Sequence, residues 1–257
     1  MSEYRLLKIG GAELREGSLL DELVDALVHV IGQGPLIVVH GGGADIAELQ
    51  RRLNLEPKFV DGLRVTDEES MRVAEMVLSG AVNKRLTARL VARGVRAIGL
   101  SGVDAGLLRA ECLVHPKGDL GRVGEITRVE PECLLSLLEH GFTPIISPIS
   151  LGMDGRPFNV NADHAALALA RALQVREMIF LTDVPGVLRD NAVLPRLRAD
   201  EAQQLIEAGV ITGGMIPKVR SALEAIAQGV GSVRITNLAG LSRDTGTRVS
   251  SSQRGGR

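Results

Sequence analysis

Aromatic residues are scarce in this 257-residue chain, which has no tryptophan, one tyrosine and four phenylalanines. Proteins that bind single-stranded nucleic acid stack bases on aromatic side chains, and this composition leaves little from which to build such a surface. Charge of one sign is lacking too, because 30 Lys and Arg stand against 31 Asp and Glu. With a formal net charge of −1, the chain has no long-range attraction for nucleic acid or for an anionic membrane.

Cysteine and long hydrophobic runs are also scarce. Cys112 and Cys133 have no CxxC spacing and are too few to staple a chain of this size, so we expect the reduced thiols of a cytoplasmic protein. No segment reaches the roughly 20 consecutive apolar residues of a membrane-spanning helix, and the N-terminus lacks a signal-peptide pattern. We therefore expect small molecules as partners, with no nucleic acid and no membrane.

Hydrophobic residues make up 45% of the chain and fall into short apolar runs separated by longer amphipathic ones. This rhythm predicts an α/β protein whose mostly parallel sheet is covered by helices on both faces. The glycine-rich and charged stretch 108–125 predicts a hairpin at the edge of the sheet. A last strand is expected at 245–249, followed by a frayed tail over 250–257. Strand-like runs lie at residues 5–9, 35–39, 97–100, 143–149, 178–181 and 232–236, and helix-like runs at 19–32, 44–53, 164–173 and 219–228.

Three glycine clusters follow predicted strands: KIGG at 8–11, HGGG at 40–43 and TDVPG at 182–186. Glycine lets backbone N–H groups approach phosphate or carboxylate oxygens closely, although the turns between strands and helices need glycine in any case. The clusters do not match the common nucleotide fingerprints, because GxxxxGK[ST] is missing and neither of the first two reads GxGxxG. A P-loop or a dinucleotide site is therefore disfavoured.

Two lysines and one aspartate are candidates for phosphoryl chemistry. Lys8 closes the first apolar strand, Lys218 precedes the predicted helix at 219–228, and Asp163 lies in NVNAD at a strand-to-helix transition. Lysines beside glycine loops can clamp a transferring phosphoryl group, with Asp163 to position both of them. For either lysine alone, a solvated surface charge is the alternative interpretation.

Other polar residues leave two interpretations open. Arg64 offers a planar fork for a carboxylate or forms a surface ion pair, and Asn159 binds a ligand or caps the following helix. Asp183 reaches a metal ion bound to a nucleotide or closes a turn. His40 is more typical of a satisfied hydrogen-bonding residue than of a base. The five histidines have no metal-ligand spacing, so we expect no metal held by the protein alone.

Taken in order along the chain, several segments resemble the amino-acid kinase family. The resemblance covers most of the chain, and the order of the motifs makes it far more specific than any single one. The matching segments are KIGG (8–11), VHGGG (39–43), GLRVTD (62–67), VNK (82–84), GEI (124–126), NVNAD (159–163), LTDVPGVL (181–188) and GMIPK (214–218).

The resemblance implies a three-layer αβα sandwich around a mostly parallel sheet. Residues 1–175 would form an N-terminal lobe for the acyl amino acid and for dimerisation, and residues 176–257 a C-terminal lobe for ATP. The implied reaction is ATP-dependent phosphorylation of the side-chain carboxylate of N-acetyl-L-glutamate, a step of arginine biosynthesis, with Mg²⁺ carried by the nucleotide. That nucleophile, with a reference pKa near 4.3, is ionised at neutral pH, so no general base is needed.

The resemblance also assigns roles to single residues. Lys8 and Lys218 would stabilise the transferring phosphoryl group, with Asp163 orienting both. The acyl amino acid would be held by Gly42, Gly43, Arg64 and Asn159. The nucleotide would be bordered by Gly10, Gly11, Asp183, Gly186, Gly214 and Met215.

Two rival functions stay open. One is a kinase for a related carboxylate, such as a carrier-protein-bound 2-aminoadipate or glutamate, and the other is a non-catalytic sensor of the same fold. The presence of both Lys8 and Lys218 argues against the sensor. The chain begins directly at its first strand, whereas arginine-inhibited relatives carry an extra N-terminal helix that joins dimers into a hexamer. We therefore expect a homodimer that is insensitive to arginine, and any regulatory protein partner is left open.

Overall fold

The computed structural model describes residues 3–190 and 192–251. Short 3₁₀ turns occur at Ala12–Leu14 and Asp104–Gly106, and a π-helical segment spans Met76–Val82. The α-helices are α1 (Ser18–Ile31), α2 (Gly43–Arg52), α3 (Glu68–Glu75), α4 (Asn83–Val91), α5 (Glu132–Glu139), α6 (Ala162–Ala172), α7 (Ala199–Glu207), α8 (Met215–Ala227) and α9 (Leu238–Arg243).

The strands alternate with these helices along the chain, as the apolar rhythm predicts. They are β1 (Arg5–Ile9), β2 (Leu36–His40), β3 (Phe59–Val60), β4 (Leu63–Arg64), β5 (Ala97–Gly102), β6 (Leu108–Cys112), β7 (Val123–Val129), β8 (Thr143–Gly152), β9 (Pro157–Val160), β10 (Glu177–Leu181), β11 (Leu188–Arg189), β12 (Ala192–Val193), β13 (Arg196–Arg198), β14 (Ser232–Thr236) and β15 (Thr247–Ser250).

One large sheet organises the molecule. Its order is β13-β15-β14-β10-β1-β2-β8-β6-β7-β9, with β5 also paired to β8. Most pairings are parallel, and the central β1 pairs in parallel with β10 on one side and β2 on the other. Because β10 begins at Glu177, the sheet runs without a break across the expected boundary between the two lobes. No helix within the described residues is long and apolar enough to cross a membrane.

Side-chain alternation along the central strands builds two cores. Leu6 of β1 packs in the core beneath α5, α6 and α8, whereas its neighbour Leu7 packs in the core beneath α1, α3 and α4. The same alternation places Phe180 and Ile179 of β10 on opposite faces of the sheet. The result is the expected three-layer αβα sandwich, whose middle strands are buried on both faces.

Four strands at one end of the sheet form a closed circuit. The second half of β8 pairs with β6, β6 with β7, β7 with β9, and β9 returns antiparallel to β8. The hairpin predicted within 108–125 is therefore real, but its expected position at a free edge is wrong. The short β9 closes that edge by pairing on both of its sides.

Two predicted boundaries also need correction. Helix α8 begins at Met215, before the predicted start at 219, so Lys218 lies in its first turn and not in the preceding loop. Proline is compatible with this early start, since Pro217 falls in the first turn, where backbone N–H groups have no partner within the helix. The last strand spans Thr247–Ser250, and most of the predicted frayed tail lies outside the described residues.

Candidate active site

Lys8 lies on the face of the sheet that is covered by α6 and α8. It is two residues from Leu6 along β1, so both side chains project from the same face. Asp163 lies in the first turn of α6, which follows β9, and Lys218 lies in the first turn of α8, which follows α7. The three residues predicted to be catalytic are therefore brought to one edge of the sheet, at the carboxyl ends of its parallel strands.

Lys8 and Asp163 form an ion pair, with 2.8 Å between Nζ and Oδ1. The lysine side chain is 16% exposed, so its charge is largely shielded from water. Asn161 positions this carboxylate, because its Oδ1 accepts a hydrogen bond from the Asp163 backbone N–H at 2.8 Å and caps α6. Asn159, which the sequence also offered as a cap, instead donates from Nδ2 to Thr66 Oγ1 at 3.1 Å.

The side chain of Lys218 contacts the two residues that directly follow β10. Its Nζ lies 2.5 Å from Thr182 Oγ1 and 3.4 Å from Asp183 Oδ1. The hydrogen bond from the Thr182 hydroxyl, and then the nearby Lys218 ammonium, hold the pKa of Asp183 below its usual value. Asp163 thus forms an ion pair with Lys8, whereas the partners of Lys218 are Thr182 and Asp183 and not the expected Asp163.

Two cavities meet at the Lys8–Asp163 pair, which lines both of them. The second cavity, about 170 Å³, is also lined by Lys218, Thr182 and Gly214. The first cavity, about 280 Å³, gathers the residues predicted to hold the acyl amino acid and two of those predicted to meet phosphate. These are Gly10, Gly11, Gly42, Gly43, Arg64 and Asn159.

The glycine loops after β1 and β2 touch backbone to backbone. A Cβ added to Gly11 would lie 3.1 Å from both Cα and N of Gly42, so a side chain there would push the loops apart. A Cβ added to Gly42 would lie 2.7 Å from Cδ2 of Leu78, on the π-helical segment. Because α2 begins at Gly43, its N-terminal N–H groups and partial positive charge lie at the first cavity.

His40, the last residue of β2, is fully buried and hydrogen-bonded, as the sequence suggested. Its Nδ1 lies 2.9 Å from the Gly41 carbonyl oxygen, and its Nε2 lies 3.1 Å from Asn83 Nδ2. These partners require a proton on Nδ1 and none on Nε2. Burial lowers the pKa of His40 to about 4, although the hydrogen bond with Gly41 opposes the shift. Asn83 also donates to the Ile145 carbonyl oxygen at 2.9 Å, which joins the end of β2 to β8.

Arg64 projects into the first cavity from β4. Its NH2 donates to the Gly43 carbonyl oxygen at 2.9 Å, and its NH1 donates to Gln50 Oε1 at 2.5 Å. The guanidinium carbon lies 4.7 Å from the centre of the Phe59 ring. Burial lowers the pKa of Arg64 from its usual value, but arginine stays protonated in proteins. The alternative interpretation, a surface ion pair, does not apply, since no described carboxylate lies within 4.0 Å of this guanidinium.

Asp183, Gly186 and Met215 do not line either of these cavities, although Asp183 contacts Lys218, which lines the second one. Gly186 adopts a φ of +153°, and a Cβ there would lie 2.7 Å from Thr247 Oγ1, so the turn after β10 requires glycine. Thr247 accepts the Val187 backbone N–H at 2.8 Å and thereby holds this turn in place. Nothing in the sequence pattern had marked Thr247 for this role.

A larger groove of about 800 Å³ opens on the opposite face, between α1 and α9. Its lining includes the carboxylates of Glu13, Glu22 and Asp25 and, among the described residues, contains no lysine or arginine, so it would repel a triphosphate. Anionic phosphates are better accommodated on the lysine side of the sheet. Within the described parts of the chain, no group of three or more His, Cys, Asp and Glu is arranged to hold a metal ion.

The fold and the site agree with a single class of protein. The sequence matches the amino acid kinase family over residues 3–237, and the chain belongs to that family. Acetylglutamate kinase from Roseiflexus castenholzii is 50% identical over 236 residues, which cover 92% of this chain and 90% of that protein. Acetylglutamate kinase from Methanopyrus kandleri is 45% identical over 252 residues, covering 95% and 99%.

A solved structure supports the same fold. The smu.665 protein of Streptococcus mutans aligns with a TM-score of 0.81 at 32% identity, covering 97% of this chain and 99% of that chain. Both the family and the αβα architecture expected from the sequence are therefore confirmed.

Proposed function

We propose that this chain transfers the γ-phosphoryl group of ATP to the side-chain carboxylate of N-acetyl-L-glutamate, a reaction of arginine biosynthesis. The observation that carries the proposal is that the Lys8–Asp163 pair lines two cavities and lies between them. One cavity has Arg64 for a carboxylate, and the other has Lys218 for phosphates. The names of the two relatives, at 50% and 45% identity over most of the chain, supply the acceptor.

N-Acetylglutamate carries two carboxylates, and the first cavity offers two separate cations. Arg64 would hold the α-carboxylate through its planar fork, while the γ-carboxylate would lie near Lys8. Asn159 lines the same cavity, and its amide suits the acetamido group or the carboxylate. A carboxylate already ionised at neutral pH attacks directly, so Asp163 acts as an organiser of Lys8 and not as a base.

In the reaction, one oxygen of the γ-carboxylate forms a bond to the γ-phosphorus of ATP. The bond from that phosphorus to the bridging oxygen breaks, and its electron pair leaves with ADP, which gives an acyl phosphate. Both reactants are anions, so catalysis requires in-line positioning and cancellation of charge. Lys8 and Lys218, together with the N-terminal ends of α2 and α6, would supply this from the two sides of the transferring group.

Mg²⁺ would arrive with the nucleotide. This ion is usually bound through substrate phosphates, water and one or two carboxylates. Asp183 fits that need, since its side chain is 84% exposed beside Lys218 and has one oxygen outside the contacts with Thr182 and Lys218. When bound, the ion would add positive charge at the phosphates.

The finer assignments belong to the same proposal. Residues 1–175 would bind the acyl amino acid and form the dimer contact, and residues 176–257 would bind ATP, with Gly186 and Met215 shaping the nucleotide side. The protein would work in the cytoplasm as a homodimer. Light scattering tests the oligomeric state, and a monomer or a hexamer would contradict it.

An ADP-release assay with several acceptors tests the main proposal. N-Acetyl-L-glutamate should support ADP release far above the rate without acceptor, and hydroxylamine should trap the acyl phosphate in equal amount. Preference for a carrier-bound 2-aminoadipate or glutamate would move the function to that related kinase. ATP binding without ADP release for any acceptor would indicate a sensor.

A further inference from the structure

We propose that Gln50 is a positioning residue for Arg64. Its neutral, buried amide holds the guanidinium at the first cavity without cancelling its charge, and this makes the site selective for an acceptor that carries a second carboxylate. The inference rests on the proposed function, because it concerns how that acceptor is held.

Gln50 is a polar side chain deep in the structure. It lies on α2 and is 1% exposed, a position where an amide without hydrogen-bond partners would be strongly unfavourable. Both ends of the amide have partners. Oε1 accepts from Arg64 NH1 at 2.5 Å, and Nε2 donates to Ser70 Oγ at 3.0 Å.

The hydrogen-bonding capacity of arginine fixes the orientation of the Gln50 amide. Arginine can only donate hydrogen bonds, so the amide oxygen must face Arg64 and the amide nitrogen must face Ser70. Ser70 lies in the first turn of α3, where Asp67 caps the helix by accepting the Ser70 backbone N–H at 2.8 Å. The orientation of Gln50 is therefore set by α3, and Gln50 transmits it to Arg64.

The partners of Arg64 share one property, which is that all of them are neutral. They are the Gln50 amide oxygen, the Gly43 carbonyl oxygen and the Phe59 ring. Two of the guanidinium nitrogens are oriented by these contacts, yet within the described residues no carboxylate neutralises the charge. A half-buried cation in this state retains its full attraction for an incoming anion.

Other residue types at position 50 would remove one part of this arrangement. A glutamate would keep the hydrogen bond but place a negative charge against the guanidinium, in competition with the acceptor. A methionine would fill a similar volume but leave NH1 without its partner. Glutamine is the side chain that both orients Arg64 and leaves its charge available.

Steady-state kinetics of Gln50→Glu and Gln50→Met, with N-acetyl-L-glutamate and ATP varied separately, test the proposal. Gln50→Glu should raise the KM for the acceptor by about tenfold or more, the loss expected when a charge-assisted contact is cancelled. The KM for ATP should stay within about twofold of wild type, because the second cavity is untouched. Gln50→Met should raise the acceptor KM less than Gln50→Glu does, since Arg64 keeps its charge.

Gln204→Glu is the matched control, because it adds the same charge at an exposed position on α7 and should change neither KM. Thermal unfolding followed by circular dichroism verifies that each variant is folded. If Gln50→Glu does not fold, Gln50→Met decides alone, and an unchanged acceptor KM there overturns the proposal. If Gln50→Glu folds, an acceptor KM within about twofold of wild type overturns the proposal. The proposal is also overturned if Gln50→Glu and Gln50→Met raise the acceptor KM equally.

Arg64→Ala separates this inference from the function on which it rests. If Arg64→Ala raises the acceptor KM but Gln50→Glu does not, only the role of Gln50 fails. If the wild-type protein does not phosphorylate N-acetyl-L-glutamate, the proposed function itself fails.

Discussion

Lys8 shows how one position on a strand acquires a chemical role. A lysine at the end of a buried strand would be costly without a partner, and here Asp163 lies 2.8 Å away. Lys218 is held by Thr182 Oγ1 at 2.5 Å and, more loosely, by the exposed Asp183 at 3.4 Å. Each lysine therefore keeps its position before any substrate arrives, which is the preorganisation that phosphoryl transfer requires.

Lys8→Met and Lys218→Met should each lower kcat by about 10²–10³-fold, the usual effect of removing one preorganised charge from a transition state. The fold should persist, because methionine fills most of the lysine volume. Stopped ADP-release assays give kcat, and circular dichroism checks the fold. Lys58→Met, at an exposed position, is the control, and a near-normal kcat in either active-site variant would remove that lysine from the mechanism.

Asp163→Asn should lower kcat without changing which groups control the pH profile. The amide keeps the position near Lys8 but loses the charge that orients it, while the ionised acceptor needs no base. The measurement is kcat against pH for both proteins. A lost acid limb in the variant would show instead that Asp163 accepts a proton during turnover.

Single residues were predictable where a motif marked them and not where burial gives them their role. Lys8, Asp163 and Arg64 stand in segments with glycine or at strand ends, so the pattern singled them out. Gln50 lies within an ordinary amphipathic helix, and its role depends on a contact with Arg64 that is fourteen positions away. Spacing along the chain carries no signal for such a contact.

At the scale of the elements, α6 links a local cap to the chemistry. Asn161 caps this helix through the backbone N–H of Asp163, so the same hydrogen bond that starts the helix also places the carboxylate. Secondary structure and catalytic geometry depend on one side chain here.

Asn161→Ala should therefore lower both the free energy of unfolding, by about 1 kcal/mol, and kcat. Asn161→Ser should recover much of both, because serine also accepts a hydrogen bond at a helix N-terminus without adding charge near the phosphates. Urea unfolding and kcat are measured on the same preparations. Loss of stability in Asn161→Ala with an unchanged kcat would separate the cap from the site.

Element types were predictable from periodicity, but some boundaries and pairings were not. The predicted start of α8 was late because two glycines before Met215 resemble a continuing loop, while Pro217 fits the first turn of the helix. The position of the β6–β7 hairpin was wrong because β9 has only four residues and begins with proline. Nothing local indicates that so short a strand pairs on both sides.

At the scale of the whole molecule, the order of strands could not be predicted from the sequence. Alternating apolar runs indicate a parallel sheet with two covered faces, which the structure confirms. The sheet places β10 directly beside β1, in spite of the long stretch of chain between them. That neighbourhood arises from tertiary packing, and it is what brings Lys218 to Lys8.

The buried His40 should make the stability of the whole chain depend on pH. Its folded pKa is about 4, whereas an unfolded histidine titrates near 6.5. Between these values the unfolded chain binds a proton that the folded chain does not bind. The free energy of unfolding should consequently fall by about 3 kcal/mol from this group as the pH drops from 6.5 to 4, and by no more below that.

Urea unfolding of the wild type and His40→Gln at several pH values between 7 and 5 isolates this contribution. The variant lacks the group, so the gap in stability between the two proteins should narrow as the pH falls. A gap that stays constant across this range would mean that His40 titrates alike in the folded and unfolded chains.

The wall shared by the two cavities also limits how the substrate range of this protein can be altered. Lys8 and Asp163 belong to the acceptor side and the phosphate side at once, so a substitution chosen to admit a new acceptor would also disturb the grip on the nucleotide. Laboratory evolution toward other carboxylates should therefore accumulate changes on the far side of the acceptor cavity, around Phe59, Arg64 and Gln50. Changes on that side alter which acceptor is selected, while the shared wall is expected to stay as it is.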